Sequence, residues 1–222
     1  AASNRNLPMA DLKHRRPLKS RDTSWAQAIT RRLAAANMTP NQISAASVGF
    51  AGLAGACFAA VTITDGALRT VLLLVAGVFV QMRLLCNLFD GMVAVEAGRA
   101  EPTGPFWNEV PDRPADVLIL VGFGIGAGAV WLGWAAAALA IFISYLRAFG
   151  TSLDQAPDFS GPMAKQHRMA AVTGGALIAA ISTPWFEPAV ILLLVLWAVV
   201  LGEVLTAYRR MRKICDQLSQ SG

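Results

Sequence analysis

The chain has 222 residues, of which 55% are hydrophobic and 15% are charged, and its mean hydropathy is +0.49. Soluble domains carry about 25% charged residues, so the composition excludes one or two ordinary soluble domains. The formal net charge of +5 is also found in nucleic-acid-binding proteins, but here the basic residues lie at the ends of apolar segments. That placement favours anionic lipid headgroups as the partner, and we expect no nucleic acid.

The N-terminal part of the chain differs in composition from the rest. Its first twenty residues are polar and basic, and we expect no stable packing there. Residues 23–37 mix apolar side chains such as Trp25 and Leu33 with two adjacent arginines, which is typical of an amphipathic helix on a membrane surface. We predict a cytoplasmic arm over 1–37, without a signal peptide, and one membrane domain over 38–222.

Six apolar segments follow the arm. They lie at roughly 42–64, 70–95, 109–132, 133–150, 166–184 and 186–207. Each is about long enough to cross a ~30 Å hydrocarbon layer as a helix. The third and fourth form one stretch, which we divide near Trp131–Trp134 because tryptophan favours the membrane interface and glycine favours a turn. The sequence predicts an all-α integral membrane protein with six transmembrane helices preceded by the amphipathic surface helix.

The positions of the basic residues support an even number of spans. With six spans, nearly all of the 19 lysines and arginines fall on one side. Arg69 alone lies in a loop on the other side, and Arg83 lies inside a span with Asp116, Glu203 or a bound phosphate as candidate partners. The positive-inside rule then places both termini in the cytoplasm. We predict a location in the bacterial inner membrane.

Polar residues cluster where the second apolar segment ends and the third begins. They recur at spacings of three or four residues, so each segment presents one polar face. They are Asn87 and Asp90 on the first helix, with the small residue Ala94 on the same face, and Asn108, Asp112 and Asp116 on the second. Ionisable groups at a membrane helix end are costly unless they are paired, hydrated or metal-bound. A site made only of oxygen ligands favours Mg²⁺ or Mn²⁺ over zinc.

Helix capping is the alternative interpretation. Asn108, Glu109 and Asp112 lie near a helix N-terminus, where polar and acidic side chains satisfy free N–H groups. Capping does not account for Asp90, near the C-terminal end of its helix, where negative charge is unfavourable. A metal site is therefore favoured. Pro111 adds a further alternative, in which the regular third helix begins there and leaves Asn108 in the loop.

The same stretch resembles the signature of the CDP-alcohol phosphotransferases. That signature is D-x-x-D-G-x-x-A-R, eight residues, then G-x-x-x-D-x-x-x-D. The matching positions are Asp90, Gly91, Ala94, Gly104 and Asp112, and the spacer over 96–103 has the family's length. The departures are Asn87 and Asn108, at the family's first and third aspartates, and Val95, at its arginine.

The resemblance implies a six-helix fold, commonly a homodimer, whose aspartates hold divalent cations on the pyrophosphate of a CDP-alcohol. Carried over by position, Asp112 is the catalytic base and Asp90 the surest metal ligand. The metal-binding set comprises Asn87, Asp90, Asn108 and Asp112, with Glu109 and Asp116 as nearby carboxylates that restore lost charge. Because each asparagine supplies an oxygen without a charge, the site holds one or two Mg²⁺ or Mn²⁺ ions.

Two flanking segments extend the resemblance. The hexapeptide from Thr39 to Ser44 resembles the T-P-N-x-I-T that opens the first span in the family, although an N-cap at Thr39 explains it equally. A basic cluster between the fourth and fifth spans suits phosphate binding, although positive-inside topology explains it too. The predicted substrate-binding residues are Asn41, Gly91, Ala94, Gly104, Arg147, Lys165 and Arg168.

These patterns predict a phosphatidyltransferase of phospholipid synthesis. It takes CDP-diacylglycerol or another CDP-alcohol, transfers the substituted phosphate to an acceptor alcohol and releases CMP. The basic cluster favours an acceptor that carries phosphate. The alternative is a catalytically weak homologue that binds CDP-lipid or a protein partner, which the two asparagines and Val95 favour. A small transporter is disfavoured, because the sequence shows no polar residues continuing through the bilayer to the far side.

Overall fold

The structure, a computed structural model, describes residues 23–96 and 103–221. Within these ranges the chain forms α-helices and one short 3-10 turn, with no strand. The helices are α1 Ser24–Ala35, α2 Pro40–Ala60, α3 Gly66–Glu96, α4 Gly104–Glu109, α5 Asp112–Gly126, α6 Val130–Ser152, α7 Lys165–Ser182 and α8 Pro188–Ser221, and the 3-10 turn is Val61–Ile63. The expectation for the first twenty residues falls outside the described part.

Within residues 23–96 and 103–221, four segments are long and apolar enough to span a membrane. They are Pro40–Ile63, Gly66–Val95, Val130–Ser152 and Pro188–Gln220, which belong to α2, α3, α6 and α8. This agrees with the predicted all-α membrane protein. The two other helices of the predicted six, α5 and α7, are shorter, at 15 and 18 residues. The count of six spans stays a prediction.

The structure corrects two predicted boundaries. The break between the third and fourth apolar segments lies at 127–129, before Trp131, because Gly128 adopts a positive φ of 67° that most residues avoid. Helix α5 begins at Asp112 with Pro111 as its N-cap, which agrees with the alternative start at Pro111, and Asn108 lies in the separate short helix α4 rather than in a loop. Pro114 falls in the first turn of α5, where backbone N–H groups have no intrahelical partner, and therefore does not disturb the helix.

The start of α2 is fixed by a capping box. The Thr39 hydroxyl accepts a hydrogen bond from the Gln42 backbone N–H at 3.2 Å, and the Gln42 side chain accepts one from the Thr39 N–H at 3.0 Å. Two otherwise unpaired donors are thus satisfied. This confirms Thr39 as the N-cap and sets where the second turn of α2, which carries Ser44, begins.

Helix α1 packs against the end of α3. Ala26 is fully buried, and the rings of Trp25 and Phe89 meet edge to face with centroids 6.2 Å apart. Arg31 and Arg32 are exposed. The predicted helix over 23–37 therefore exists, and one of its faces covers the stretch of α3 next to Asp90.

Glycines allow α2, α5 and α6 to meet backbone to backbone. A Cβ added to Gly122 would lie 2.4 Å from the Cα of Gly55, and one added to Gly55 would lie 2.3 Å from the carbonyl oxygen of Leu118. A Cβ on Gly124 would lie 2.7 Å from the Cα of Gly133. Small residues at such crossings permit close van der Waals contact between membrane helices. Helix α5 is therefore held at the centre of the bundle.

We expect Gly55→Ala to lower the midpoint of thermal unfolding, because its methyl group would collide with backbone that cannot move aside. Overpacking of this kind costs about 1–3 kcal/mol. The matched control is Gly49→Ala on the same helix, where an added Cβ meets nothing within 4 Å. Thermal unfolding of the purified protein in detergent measures both. Equal midpoints for the two variants would contradict the close crossing of α2 and α5.

Candidate active site

The predicted polar residues meet where α3 ends and where α2, α5 and α7 begin. The Ser44 hydroxyl of α2 donates a hydrogen bond to Asp90 on α3 at 2.7 Å. The Asn87 amide, also on α3, donates to Asp112 on α5 at 2.5 Å. The Lys165 ammonium of α7 donates to the same carboxylate. Four helix ends thus bring together Asp90 and Asp112, the two aspartates that match the family signature.

Asp112 is surrounded by donors. Its side chain is first in α5, where the helix dipole favours negative charge, and the residue is only 7% exposed. One carboxylate oxygen accepts from Asn87 and from Arg83, the latter at 3.2 Å, and the other accepts from Lys165. Two cations therefore neutralise this one carboxylate.

Asp90 lies in a different environment. It is 5% exposed, and its oxygens accept hydrogen bonds from the Ser44 hydroxyl and from the backbone N–H of Gly91. Among the described residues it makes no ion pair. A buried carboxylate without a cation is costly, and the cost is greater at membrane depth. Asp90 is thus the carboxylate of this site whose negative charge is not neutralised by a described side chain.

Below this pair lies a buried ion-pair network that joins α3, α5, α7 and α8. Arg83 pairs with Asp116 at 2.6 Å, which is one of the partners considered from the sequence. Arg168 also pairs with Asp116, and it binds Glu203 at 2.9 Å. Arg168 is 1% exposed. The predicted roles of Asp116 in metal binding and of Arg168 in substrate binding stay predictions, and in this structure the two side chains are committed to each other.

The remaining predicted residues lie around the rim. The Glu109 carboxylate accepts from Arg113 at 2.9 Å and from Arg147 at 2.6 Å. Arg147 also lies over the Phe159 ring, 5.2 Å from its centroid. The Asn41 amide donates to the hydroxyl of Thr103 at 3.4 Å, next to the start of α4.

The small residues of the signature lie on α3 and α4. Gly91 and Ala94 are partly buried on α3, and Gly104 is the first residue of α4, with nothing within 4 Å of an added Cβ. The side chain of Asn108 lies outside the described residues. Its predicted role therefore stays untested by the geometry.

A second basic region, missed from the sequence, lies where α6 and α8 meet the segment 153–164. The buried Arg210 guanidinium donates to the carbonyl oxygens of Ser160 and Ile143. Partial burial raises the pKa of Asp158, but hydrogen bonds from Ser160 and Lys213 outweigh burial and leave that pKa below its usual value. The sequence does not single out Arg210 among the basic residues, because its carbonyl partners carry no sequence signal.

The donors fit a divalent cation only in part. No group of three or more acidic, histidine or cysteine side chains in the described ranges is arranged to hold a metal ion. At Asp90, an unpaired carboxylate lies three residues from Asn87, whose amide oxygen accepts no hydrogen bond from the described residues. Both groups suit a hard cation. At Asp112, Lys165 and Arg83 already supply the positive charge.

Solved structures of phosphatidylinositol phosphate synthase from Mycobacterium tuberculosis share this architecture. The form with CDP-DAG bound superposes with a TM-score of 0.69 and 20% identity, over 86% of this chain and 94% of that chain. The form with manganese and citrate gives a TM-score of 0.68 and 21% identity, over 85% and 88%. This chain has the fold of that synthase. The resemblance seen in the signature is thereby confirmed.

A curated protein is similar to this chain in sequence. The bifunctional IPC transferase and DIPP synthase of Rubrobacter xylanophilus is 33% identical over 149 residues, which is 64% of this chain. The matched region is 32% of that protein, so the chain spans about a third of the curated relative it matches. No family model matches the chain.

We expect Arg168→Met to destabilise the protein strongly. It would leave Glu203 without a cation and Asp116 with only Arg83, and breaking a buried pair costs about 3–5 kcal/mol. The matched control is Arg212→Met, since Arg212 makes an exposed 3.8 Å contact with Asp216 of a kind that contributes about 0–1 kcal/mol. Chemical unfolding followed by circular dichroism compares the two. Equal losses would show that the network carries no special stability.

Proposed function

We propose that the protein is a membrane transferase that moves a substituted phosphate group from a CDP-alcohol to an acceptor hydroxyl and releases CMP. The observation that carries this proposal is the convergence of Asp90 and Asp112 with the Lys165 ammonium at one end of the bundle. Carboxylates and a lysine that meet at one end of a helix bundle suit the charge changes of phosphoryl transfer. The fold and the signature support the same reaction class.

The proposed topology has six spans, with α5 and α7 completing the four long helices. Both shorter helices begin at the site end, where their first residues are polar and their apolar parts pack in the core. The positive-inside rule then places the site, both termini and the surface helix α1 on the cytoplasmic side. We propose the bacterial inner membrane as the location and a homodimer as the assembly.

CDP-diacylglycerol is the proposed donor. Support comes from the solved neighbour with CDP-DAG bound and from the exposed apolar side chains along α2, α3, α6 and α8. Such surfaces suit lipid tails that lie between helix and bilayer while the CDP headgroup lies at the rim. The acceptor is an alcohol that carries phosphate, because Arg147 and Lys165 border the site and phosphate oxygens favour such cations.

A divalent cation, Mg²⁺ or Mn²⁺, is the proposed cofactor, held by Asp90 with the amide oxygen of Asn87. The manganese in a solved neighbour supports this choice. When bound, the ion neutralises charge that develops on the pyrophosphate. The protein's own groups do the remaining work. Asp112 receives the proton of the acceptor hydroxyl, Lys165 binds a phosphate oxygen beside it, and Arg83 orients the Asp112 carboxylate.

The second candidate function is a catalytically weak homologue that binds CDP-lipid or a protein partner. The specific observation in its favour is that Asn87 and Lys165 both donate to Asp112, which occupies the proposed base in this structure. Both candidates require CDP-lipid or a related ligand at the same end of the bundle. They differ in whether CMP is released.

We expect purified protein to release CMP from CDP-diacylglycerol when Mg²⁺ or Mn²⁺ and one alcohol from a panel are present. This release should stop when EDTA is added, because EDTA removes the divalent ion. Asp112→Asn and Asp90→Asn should each lower the rate at least about 100-fold, the effect of losing one group that stabilises charge. Asp65→Asn is the matched control, since Asp65 is exposed beside the first turn of α3, at the opposite end of that helix.

The outcomes separate the two candidates. Release that depends on metal and acceptor, lost in both site variants and kept in Asp65→Asn, establishes the transferase and identifies the acceptor. Binding of CDP-diacylglycerol without CMP release across the panel rejects the transferase and favours the binding protein.

A further inference from the structure

The charges around Asp112 balance without an added ion. Three carboxylates and three cations form the connected cluster. They are Asp112, Asp116 and Glu203 on one side and Arg83, Lys165 and Arg168 on the other. Asp90 adds one further negative charge nearby, so these seven described side chains have a net charge of minus one. A single divalent cation would bring it to plus one, which suits an anionic pyrophosphate.

The asparagines at positions 87 and 108 explain why a single divalent cation is sufficient. Aspartates at positions 87 and 108, as in the family signature, would make the site two units more negative. A second divalent cation would then be needed to reach the same net charge of plus one. This chain has Asn87 and Asn108 instead, and the charge removed equals that of one divalent ion.

Asn87 also changes the contact with Asp112. Its amide donates a hydrogen bond to that carboxylate at 2.5 Å. An ionised aspartate has no proton to donate, and two carboxylates at that distance repel unless a cation lies between them. The amide therefore makes a direct contact where a pair of aspartates would require a bridging ion.

Lys165 lies beside Asp112, where a bridging cation would otherwise neutralise that carboxylate. It is the first residue of α7, a position where the helix dipole disfavours positive charge. Its ammonium is nevertheless bonded to Asp112, with its side chain 27% exposed. Lysine is a compact point charge that binds phosphate oxygens. It can therefore neutralise Asp112 and still face a ligand.

We propose that the Lys165 ammonium, supported by Arg83, takes the place of one divalent cation, so that the site binds a single divalent ion at Asp90. This inference rests on the proposed function, because it concerns how the same site neutralises a pyrophosphate. In this arrangement the Lys165 ammonium neutralises Asp112, and the exchangeable divalent ion neutralises Asp90. The asparagines at positions 87 and 108 are then matched to a one-ion site.

The test counts Mn²⁺ bound per chain, by titration with electron paramagnetic resonance of the free ion, on the full-length protein in detergent. We expect one Mn²⁺ in the unaltered protein. None or two would overturn the proposal, and this measurement requires no variant to fold. In Asn87→Asp/Lys165→Met we expect two Mn²⁺, because a carboxylate has been restored and the fixed cation removed.

The control for the loss of one lysine charge is Asn87→Asp/Lys213→Met, since Lys213 pairs with a different carboxylate, Asp158, at 3.2 Å. We expect it to bind the second ion at least tenfold more weakly than the Lys165 double variant does. Equal second-ion affinity in the two double variants would overturn the proposal. CMP release is measured separately, so one bound Mn²⁺ without release rejects the transferase alone, and two bound Mn²⁺ with release reject the single-ion site alone.

Discussion

The structure depends on one constraint, which is that a carboxylate buried among apolar helices is costly unless a positive charge lies nearby. Water cannot screen these groups, and an unpaired buried charge costs several kcal/mol. Arg83 and Arg168 meet this demand for Asp116, and Arg168 meets it for Glu203. Because the partners come from α3, α5, α7 and α8, the same pairs hold four helices in register at one end of the bundle.

Packing at the centre of the bundle makes those pairs geometrically accessible. The crossing of Gly55 and Gly122 lets α5 lie against α2 with backbone in contact, which places the first turn of α5 between α3 and α7. Asp112 then reaches Asn87 on one side and Lys165 on the other. The close packing is thus far along α5 from the site, yet it determines which side chains surround Asp112.

Local patterns predicted part of this arrangement. Four-residue spacing placed Asp112 and Asp116 on one face, and the cost of a lone buried arginine gave Asp116 and Glu203 as candidate partners for Arg83, of which Asp116 is the one observed. Other features depend on tertiary contacts. Lys165 and Arg168 are one turn apart, yet the first binds Asp112 and the second binds Asp116 and Glu203. The break at Gly128, between α5 and α6, was missed because the positive φ of this glycine does not distinguish it in sequence from the other glycines.

If the protein is a transferase, Asn87 and Asn108 belong to a working site with altered charge. If it is a catalytically weak homologue, they mark lost activity. The ion pairs help to decide between these two interpretations. If the site had lost two aspartates and still bound two divalent ions, its positive charges would exceed its negative charges. The described cluster instead has as many carboxylates as cations, and Asn87 makes a hydrogen bond that an ionised aspartate could not make. A site that had merely decayed has no reason to retain Lys165 on Asp112 at the unfavourable end of a helix dipole. The matched charges and the contact of Asn87 therefore favour a working site with altered electrostatics over a site that has lost its chemistry.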